Sequence, residues 1–352
     1  MAEQKARIYK FDNIKAFLIF LVVIGHMTTD YVSISHAVRW VTLWIYTFHM
    51  PAFILVSGLL HKQYISKEAA ELGKRGNTEM RWNKVVMFLL CAYALKAFLF
   101  FFRTAIGQHP TWDWIREPGI PWYLIVMAEY EVLLYICRKI DWRVMLIGST
   151  LLSMFVGYFP QIGDDYSLSR MINFLPIFLI GYYMEPKQII ELSEKKQFRI
   201  ASIATIVASA AVCFLGPWSI YSMRKWFTGR RSYEFLEDIF HGTYPWAWAI
   251  RLGVWAIAIA IAMSVIILIP NKDWKFASKI GSRSLSVYFW HRPICYWICG
   301  AGVFPALQGA VHSDAVALVI YILMGAAMTA LFGLAIFEHP CKDLTKLANK
   351  IK

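Results

Sequence analysis

Apolar residues in this chain come in ten long runs, at 14–29, 40–60, 85–106, 121–137, 142–158, 170–184, 200–215, 246–269, 281–299 and 316–337, with polar segments between them. Most of these runs approach the roughly 20 residues that a helix needs to cross a hydrocarbon layer. They are apolar on all sides rather than along one stripe, which predicts helices surrounded by lipid or by other helices. Inside a bilayer every backbone N–H and C=O must be satisfied within the segment, so helices are the expected form. The pattern therefore predicts an all-α fold, a polytopic membrane helix bundle of about ten transmembrane helices, folded as a single domain over 1–352.

The polar residues that interrupt these runs are few. The first run opens on Asp12 and Lys15 and holds His26 well inside it. The step of eleven residues from Lys15 to His26 returns to within about 20° of the same helical face and rises roughly 16 Å. His26 is thus expected near the middle of the layer, with Asp12 and Lys15 below it on the same face. A lone membrane His is often interhelical glue, but three polar groups on one face make this helix a candidate functional one. The second run carries His49 and Pro51, and His49 is expected at about the depth of His26. Pro51 removes a backbone donor and is expected to bend the helix there. Glu129 and Glu131 lie in the fourth run and His291 in the ninth.

Composition agrees with the pattern, with 58% hydrophobic and only 17% charged residues. A net charge of +13 would suit a nucleic-acid binder, but 25 of the 36 Lys and Arg fall in alternate segments: the two ends and the loops after runs two, four, six and eight. That asymmetry is the positive-inside pattern and places both termini in the cytoplasm. No nucleic-acid partner is expected. The six cysteines lie in or beside apolar runs without metal-ligand spacing, so they read as packing residues and no metal is expected. The first run follows a basic start but lacks a small-x-small cleavage site, so it is read as retained. The chain shows no internal repeat.

Two loops hold further candidates. The basic loop with Lys62, Lys67, Lys74, Arg75, Arg81 and Lys84 reads either as a solvated positive-inside loop or as a dock for a polyanion such as the phosphates of coenzyme A. The long outer loop 216–245 is rich in Trp, Tyr and charged residues, and Trp122 opens the fourth run. These aromatics form either an interfacial belt or a surface that stacks on a sugar.

Asp12-Asn13-Ile14-Lys15 followed by His26, Phe48-His49-Met50-Pro51 through Ser57-Gly58, Arg81-Trp82-Asn83-Lys84, Pro121-Trp122-Tyr123-Leu124, and Ser284-Leu285-Ser286-Val287-Tyr288 through His291-Arg292-Pro293 together resemble the signatures of the membrane acyltransferase-3 superfamily. The fucose 4-O-acetylase-like branch is the most similar. Lys15 and Lys84 stand where Arg is commoner, which keeps the charge and loses the bidentate fork. The resemblance implies a membrane O-acyltransferase, with acetyl-CoA or another acyl-CoA as cytoplasmic donor and a glycan or other hydroxyl-bearing acceptor at the cell surface. It implies a multi-pass protein of the cell membrane, a bacterial inner or cytoplasmic membrane. His26 would be the general base, with His49 and Glu129 orienting it or the acceptor, and a covalent acyl-His stays open. Asp12, Lys15, Ser57, Arg75, Arg81 and Lys84 would hold the acyl-CoA, and Trp122 and His291 the acceptor. The alternative class is a membrane transporter or flippase exporting a glycan or small anion, with the buried His and Glu as a proton relay. A non-catalytic sensor or scaffold is a third.

Overall fold

The computed structural model describes residues 8–71 and 79–350, and these contain helices and turns but no β-strand. Each of the ten apolar runs is helical. In chain order the first helices are α1 (Tyr9–Thr28), α2 (His36–Glu71), α3 (Trp82–Ala105), α4 (Trp122–Ile136), α5 (Trp142–Phe155) and α6 (Leu168–Tyr183). Then come α7 (Pro186–Glu194), α8 (Lys196–Leu215) and the short α9 (Trp218–Ser222), α10 (Arg224–Phe227) and α11 (Glu234–Glu237). The chain continues as α12 (Ala247–Leu268), α13 (Lys275–Ser282), α14 (Ser284–Gly300), α15 (Val303–Val311), α16 (Asp314–Phe332) and α17 (His339–Ala348).

Among the described residues six helices are long and apolar enough to cross a membrane, those within Tyr9–Tyr31, His36–Gln63, Trp82–Ala105, Lys196–Leu215, Tyr244–Leu268 and Asp314–Phe332. α14 and α15, bent by 56° at Gly300 to Gly302, make a seventh if the pair is one span. The other expected spans, α4, α5 and α6, are helices of 15, 14 and 16 residues. At about 1.5 Å per residue they are shorter than a 30 Å layer. Local chemistry sets these lengths. Pro121 fixes the start of α4, Gly157 lies in the 3-10 turn that ends α5, and two left-handed residues, Tyr166 and Ser167, precede α6. α2 continues through Pro51 as one helix. The helices α7, α13 and α17 lie in segments too polar and too short for the long-run pattern to mark.

The chain divides into two compact units, one made of residues 1–45, 187–214 and 261–339 and the other of 46–186, 215–260 and 340–352. In the first unit α1 is the central element, packed against α13, α14 and α16. Its apolar residues Ile14, Leu18, Ile19, Val23 and Met27 are fully buried. Two glycines let neighbours approach it: a Cβ at Gly281 would run into the Asp12 carbonyl, and one at Gly325 into the Ile24 side chain. Polar groups of α1 complete the contact. Asn13 Nδ2 donates to the carbonyls of Lys272 at 2.8 Å and Pro270 at 3.2 Å, and Ser278 Oγ donates to Asn13 Oδ1 at 2.7 Å. Lys10, fully buried, donates to the carbonyls of Ile267 and Ile269, which terminate α12. A cation at a helix C-terminus satisfies carbonyls that have no partner within the helix.

In the second unit α3 packs on α4, and α6 packs on both α4 and α5. α2 and α6 meet backbone to backbone: a Cβ at Gly58 would collide with the Phe178 carbonyl, and one at Gly181 with the Leu55 carbonyl. Small residues that admit such an approach are the usual means of joining helices where lipid removes the hydrophobic drive between them. Because backbone and not a flexible side chain fills each gap, we expect Gly181→Leu to force α2 and α6 apart. The purified Gly181→Leu protein should melt several degrees below wild type in detergent, and an unchanged melting temperature would contradict this packing.

Candidate active site

In the unit built around α1, the spacing of the first helix places four of the candidate residues on α1 and α14. Asp12 and Lys15, three residues apart on one face, form an ion pair of 3.0 Å, with both side chains more than four-fifths buried. Further along α1, the ring of His26 lies 5.4 Å from the ring of His291 on α14, centroid to centroid, with the planes 30° apart. His291 is wholly buried. Its Nδ1 is 3.0 Å from the Val287 carbonyl, an oxygen that only accepts, so Nδ1 carries the hydrogen and, in the neutral ring, Nε2 presents a lone pair. That Nε2 is buried and has no hydrogen-bond partner among the described residues. The next residue, Arg292, turns its Nη1 towards the His26 carbonyl at 3.5 Å and stacks its guanidinium over Tyr296 at 4.2 Å. α14 therefore contributes an imidazole and a guanidinium to the neighbourhood of His26.

The second unit holds the rest. His49 is buried on α2 with its ring edge-on to Tyr46 at 4.9 Å. About two and three turns further on, Ser57 and His61 share a helical face, and α4 presents Tyr123 and Glu131 to them. Ser57 Oγ donates to the Phe53 carbonyl at 2.6 Å and lies 2.7 Å from the Tyr123 hydroxyl. Glu131 is gripped by Arg81, whose Nη1 donates to both carboxylate oxygens at 3.1 and 3.2 Å, and His61 Nε2 stands 3.4 Å from Oε2. The two acids of α4 are thus distinct. Glu131 belongs to a buried ion pair, whereas the buried Oε2 of Glu129 has no hydrogen-bond partner among the described residues. Lys84 is half-buried in the first turn of α3, and Arg75 lies outside the described residues.

Trp122 opens α4 within an aromatic and charged stack. Its ring is parallel to Phe174 at 5.5 Å, and the Arg170 guanidinium lies over it at 4.9 Å. Arg170 donates to the carbonyls of Pro118 at 3.1 Å and Gly119 at 3.4 Å, and Asp164 stands 3.8 Å away while receiving Arg230 Nε at 2.7 Å. The loop 216–245 has a core of its own in Trp226, Phe227, Tyr233 and Leu236, all buried, whereas Trp218 is exposed. Within it Glu237 accepts from the backbone N–H groups of Gly242 and Tyr244 at 2.7 Å each, which hold its carboxyl below the usual range. No group of three or more His, Cys, Asp or Glu among the described residues is arranged to hold a metal ion.

Sequence reasoning passed over His61, Asp164, Arg170 and Arg292. Three of these are charged or titratable residues in or beside apolar runs, a signal as strong as that of the residues it selected. Asp164 sits in a polar turn and gave none.

The family model described as an acyltransferase domain, that of the acyltransferase-3 family, matches residues 8–338. No curated protein and no solved structure matches the chain. Apolar helices of spanning length and this match together make the chain a multi-pass membrane protein.

The geometry of the Glu131 cluster has a testable consequence for stability. Removing one partner of a buried ion pair leaves the other charge uncompensated, at a cost of about 3–5 kcal/mol. Glu131→Ala is therefore expected to destabilise the purified protein strongly, and the double variant Arg81→Met with Glu131→Leu to recover most of the loss. A double variant as unstable as the sum of the two single ones would show that the pair does not act as a unit.

Proposed function

The chain belongs to the acyltransferase-3 family, and from that premise we propose that it is an O-acetyltransferase of the cell membrane, moving an acetyl group from cytoplasmic acetyl-CoA to a hydroxyl of an extracytoplasmic glycan. We place it in the fucose 4-O-acetylase-like branch on the motifs quoted above. In this reading α4, α5, α6 and α14 are spans as well, giving ten, with both termini on the cytoplasmic side where the Lys and Arg are concentrated.

The observation that carries the proposal is the meeting of His26 and His291 on α1 and α14. Acyl transfer from a thioester needs a base at the acceptor hydroxyl and an acid at the departing sulfur. A neutral imidazole is suited to both near pH 7. His26 takes the hydroxyl proton as the oxygen attacks the thioester carbonyl. The new C–O bond forms, the C–S bond breaks, and the proton returns to the coenzyme A thiolate. His291 offers the lone pair of Nε2 to the acceptor or to a proton in transit. Lys15, with Asp12 holding its ammonium, is one cation for the coenzyme phosphates, and Arg81, Lys84 and Arg75 are further candidates for that role. Ser57 hydrogen-bonds along the pantetheine arm, His49 and Glu129 position the reacting groups, and Trp122 stacks on the acceptor. Arg81 already grips Glu131, so its removal would lower stability together with binding. Lys15 is paired as well, with Asp12, but that pair is more exposed, at 19% and 15% against 11% and 4%, so Lys15→Ala costs less stability.

Two outcomes are expected from purified protein supplied with acetyl-CoA. His26→Ala should lose acetyl transfer while eluting as wild type does in size exclusion, and full activity in that variant would remove His26 from the chemistry. Lys15→Ala should raise the KM for acetyl-CoA about tenfold or more with kcat nearly unchanged, the effect of losing one charge-assisted contact of roughly 1.5–3 kcal/mol. Lys15→Arg should stay close to wild type. If saturating acetyl-CoA does not restore the Lys15→Ala rate, Lys15 has another role.

A further inference from the structure

Most buried cations described so far are matched by an acceptor of suitable strength. Lys10 caps the carbonyls that end α12, Arg81 grips Glu131, and Arg170 holds two carbonyls beside Asp164. Arg251 is the exception. It lies early in α12, and its side chain is 0% exposed. Three rings enclose the guanidinium, with Cζ at 4.4 Å from the centroid of Trp226, 5.3 Å from Tyr233 and 5.8 Å from Trp255. Nη2 donates to the Arg231 carbonyl at 3.1 Å, and the Tyr233 hydroxyl is a polar neighbour. Nε and Nη1 have no hydrogen-bond partner among the described residues, and none of their carboxylates forms an ion pair with Arg251.

The surrounding polar atoms repeat the imbalance. The indole Nε1 of Trp226 is also buried and unbonded among the described residues. The Trp255 indole is already used on Ser153 Oγ at 3.2 Å, and the Tyr233 hydroxyl donates to the Met154 carbonyl. The Tyr233 oxygen keeps its lone pairs as an acceptor beside the guanidinium, while the atoms without a partner among the described residues, Arg251 Nε and Nη1 and Trp226 Nε1, are all donors around one positive charge. The N-terminal end of α12 adds to that charge instead of offsetting it. Aromatic faces attract a guanidinium, but they supply neither lone pairs nor a countercharge. A buried ion with two of its donor nitrogens unmatched and no countercharge is a costly arrangement that folded chains avoid unless a ligand completes it.

We propose that Arg251 and Trp226 form a binding site for an oxyanion, the carboxylate or phosphate of a ligand that reaches the outer end of α12. Carboxylate and phosphate oxygens provide the several acceptors and the negative charge that the box lacks. Trp226 and Tyr233, both 0% exposed, stand on or beside helices of four residues in the loop that precedes α12. The proposal does not rest on acyl transfer. Binding is its readout, so its failure and the failure of the reaction proposed above can be told apart.

The test uses the purified full chain, with melting followed by tryptophan fluorescence. One set of arms compares glucuronate with glucose and inorganic phosphate with chloride at matched ionic strength. The other compares nanodiscs of phosphatidylglycerol with nanodiscs of phosphatidylcholine. We expect a saturable rise in melting temperature with an oxyanion and none with its neutral or halide counterpart. A rise with the soluble anions assigns a free ligand, and a rise with phosphatidylglycerol alone assigns a lipid headgroup. Arg251→Met should abolish the rise. In the absence of anion it should melt at or above wild type, because an uncompensated buried cation has been replaced by an apolar chain of similar length. No rise in any arm, or a rise that persists in Arg251→Met, overturns the proposal. Should Arg251→Met fail to fold, Arg251→Lys and Trp226→Phe are expected to weaken the apparent anion affinity several-fold, and unchanged affinity in both overturns it equally.

Discussion

A helix that carries Lys10, Asp12, Asn13, Lys15 and His26 can be buried only if its polar groups find partners, and α1 depends on that condition throughout. Leaving one hydrogen-bonding group of this kind unpaired costs about 1–3 kcal/mol, and a charge costs more. Two of its residues solve the problem by solving that of another helix. Lys10 and Asn13 satisfy carbonyls at and just beyond the end of α12, which no intrahelical N–H can reach. The polar start of α1 is thus the fastening that fixes α12 and α13 against it. Gly281 keeps that fastening short enough to work, since a side chain there would push the Asp12 backbone away.

The same rule separates groups that hold the fold from groups that remain available for chemistry. Glu131, with Arg81 and His61, is occupied by its own cluster. In the described structure, His291 Nε2 and Glu129 Oε2 are buried without such an occupation. Native chains tolerate few buried polar atoms in this condition, and those that persist commonly meet a ligand or take part in a reaction. That His291 should be one of them, beside His26, is the physical core of the acyl-transfer reading. Arg251 belongs to the same category in a different place, and its surroundings ask for a different partner.

The helices and the class of the protein could be read from the residues in order. Length and apolarity are local properties, and the ten runs lie where helices are found, because a backbone that must satisfy its own hydrogen bonds inside an apolar medium has little other choice. His26, Lys15 and Asp12 were legible for a similar reason, since an ionisable residue within an apolar run announces itself. The family motifs also lie in the sequence and agree with a model match over residues 8–338. What tertiary structure alone decided was partnership. His26 and His291 are 265 positions apart, and no periodicity states that their rings meet. Glu129 and Glu131 look equivalent along the chain, yet only packing shows that one is gripped by Arg81 and the other is not. Arg251 was one more cation in an apolar run until three rings were found around it and no carboxylate. The physical reason is common to all three: the pattern along the chain fixes how each segment meets the solvent, whereas the energy of a buried polar group is set by the few atoms that close around it from elsewhere.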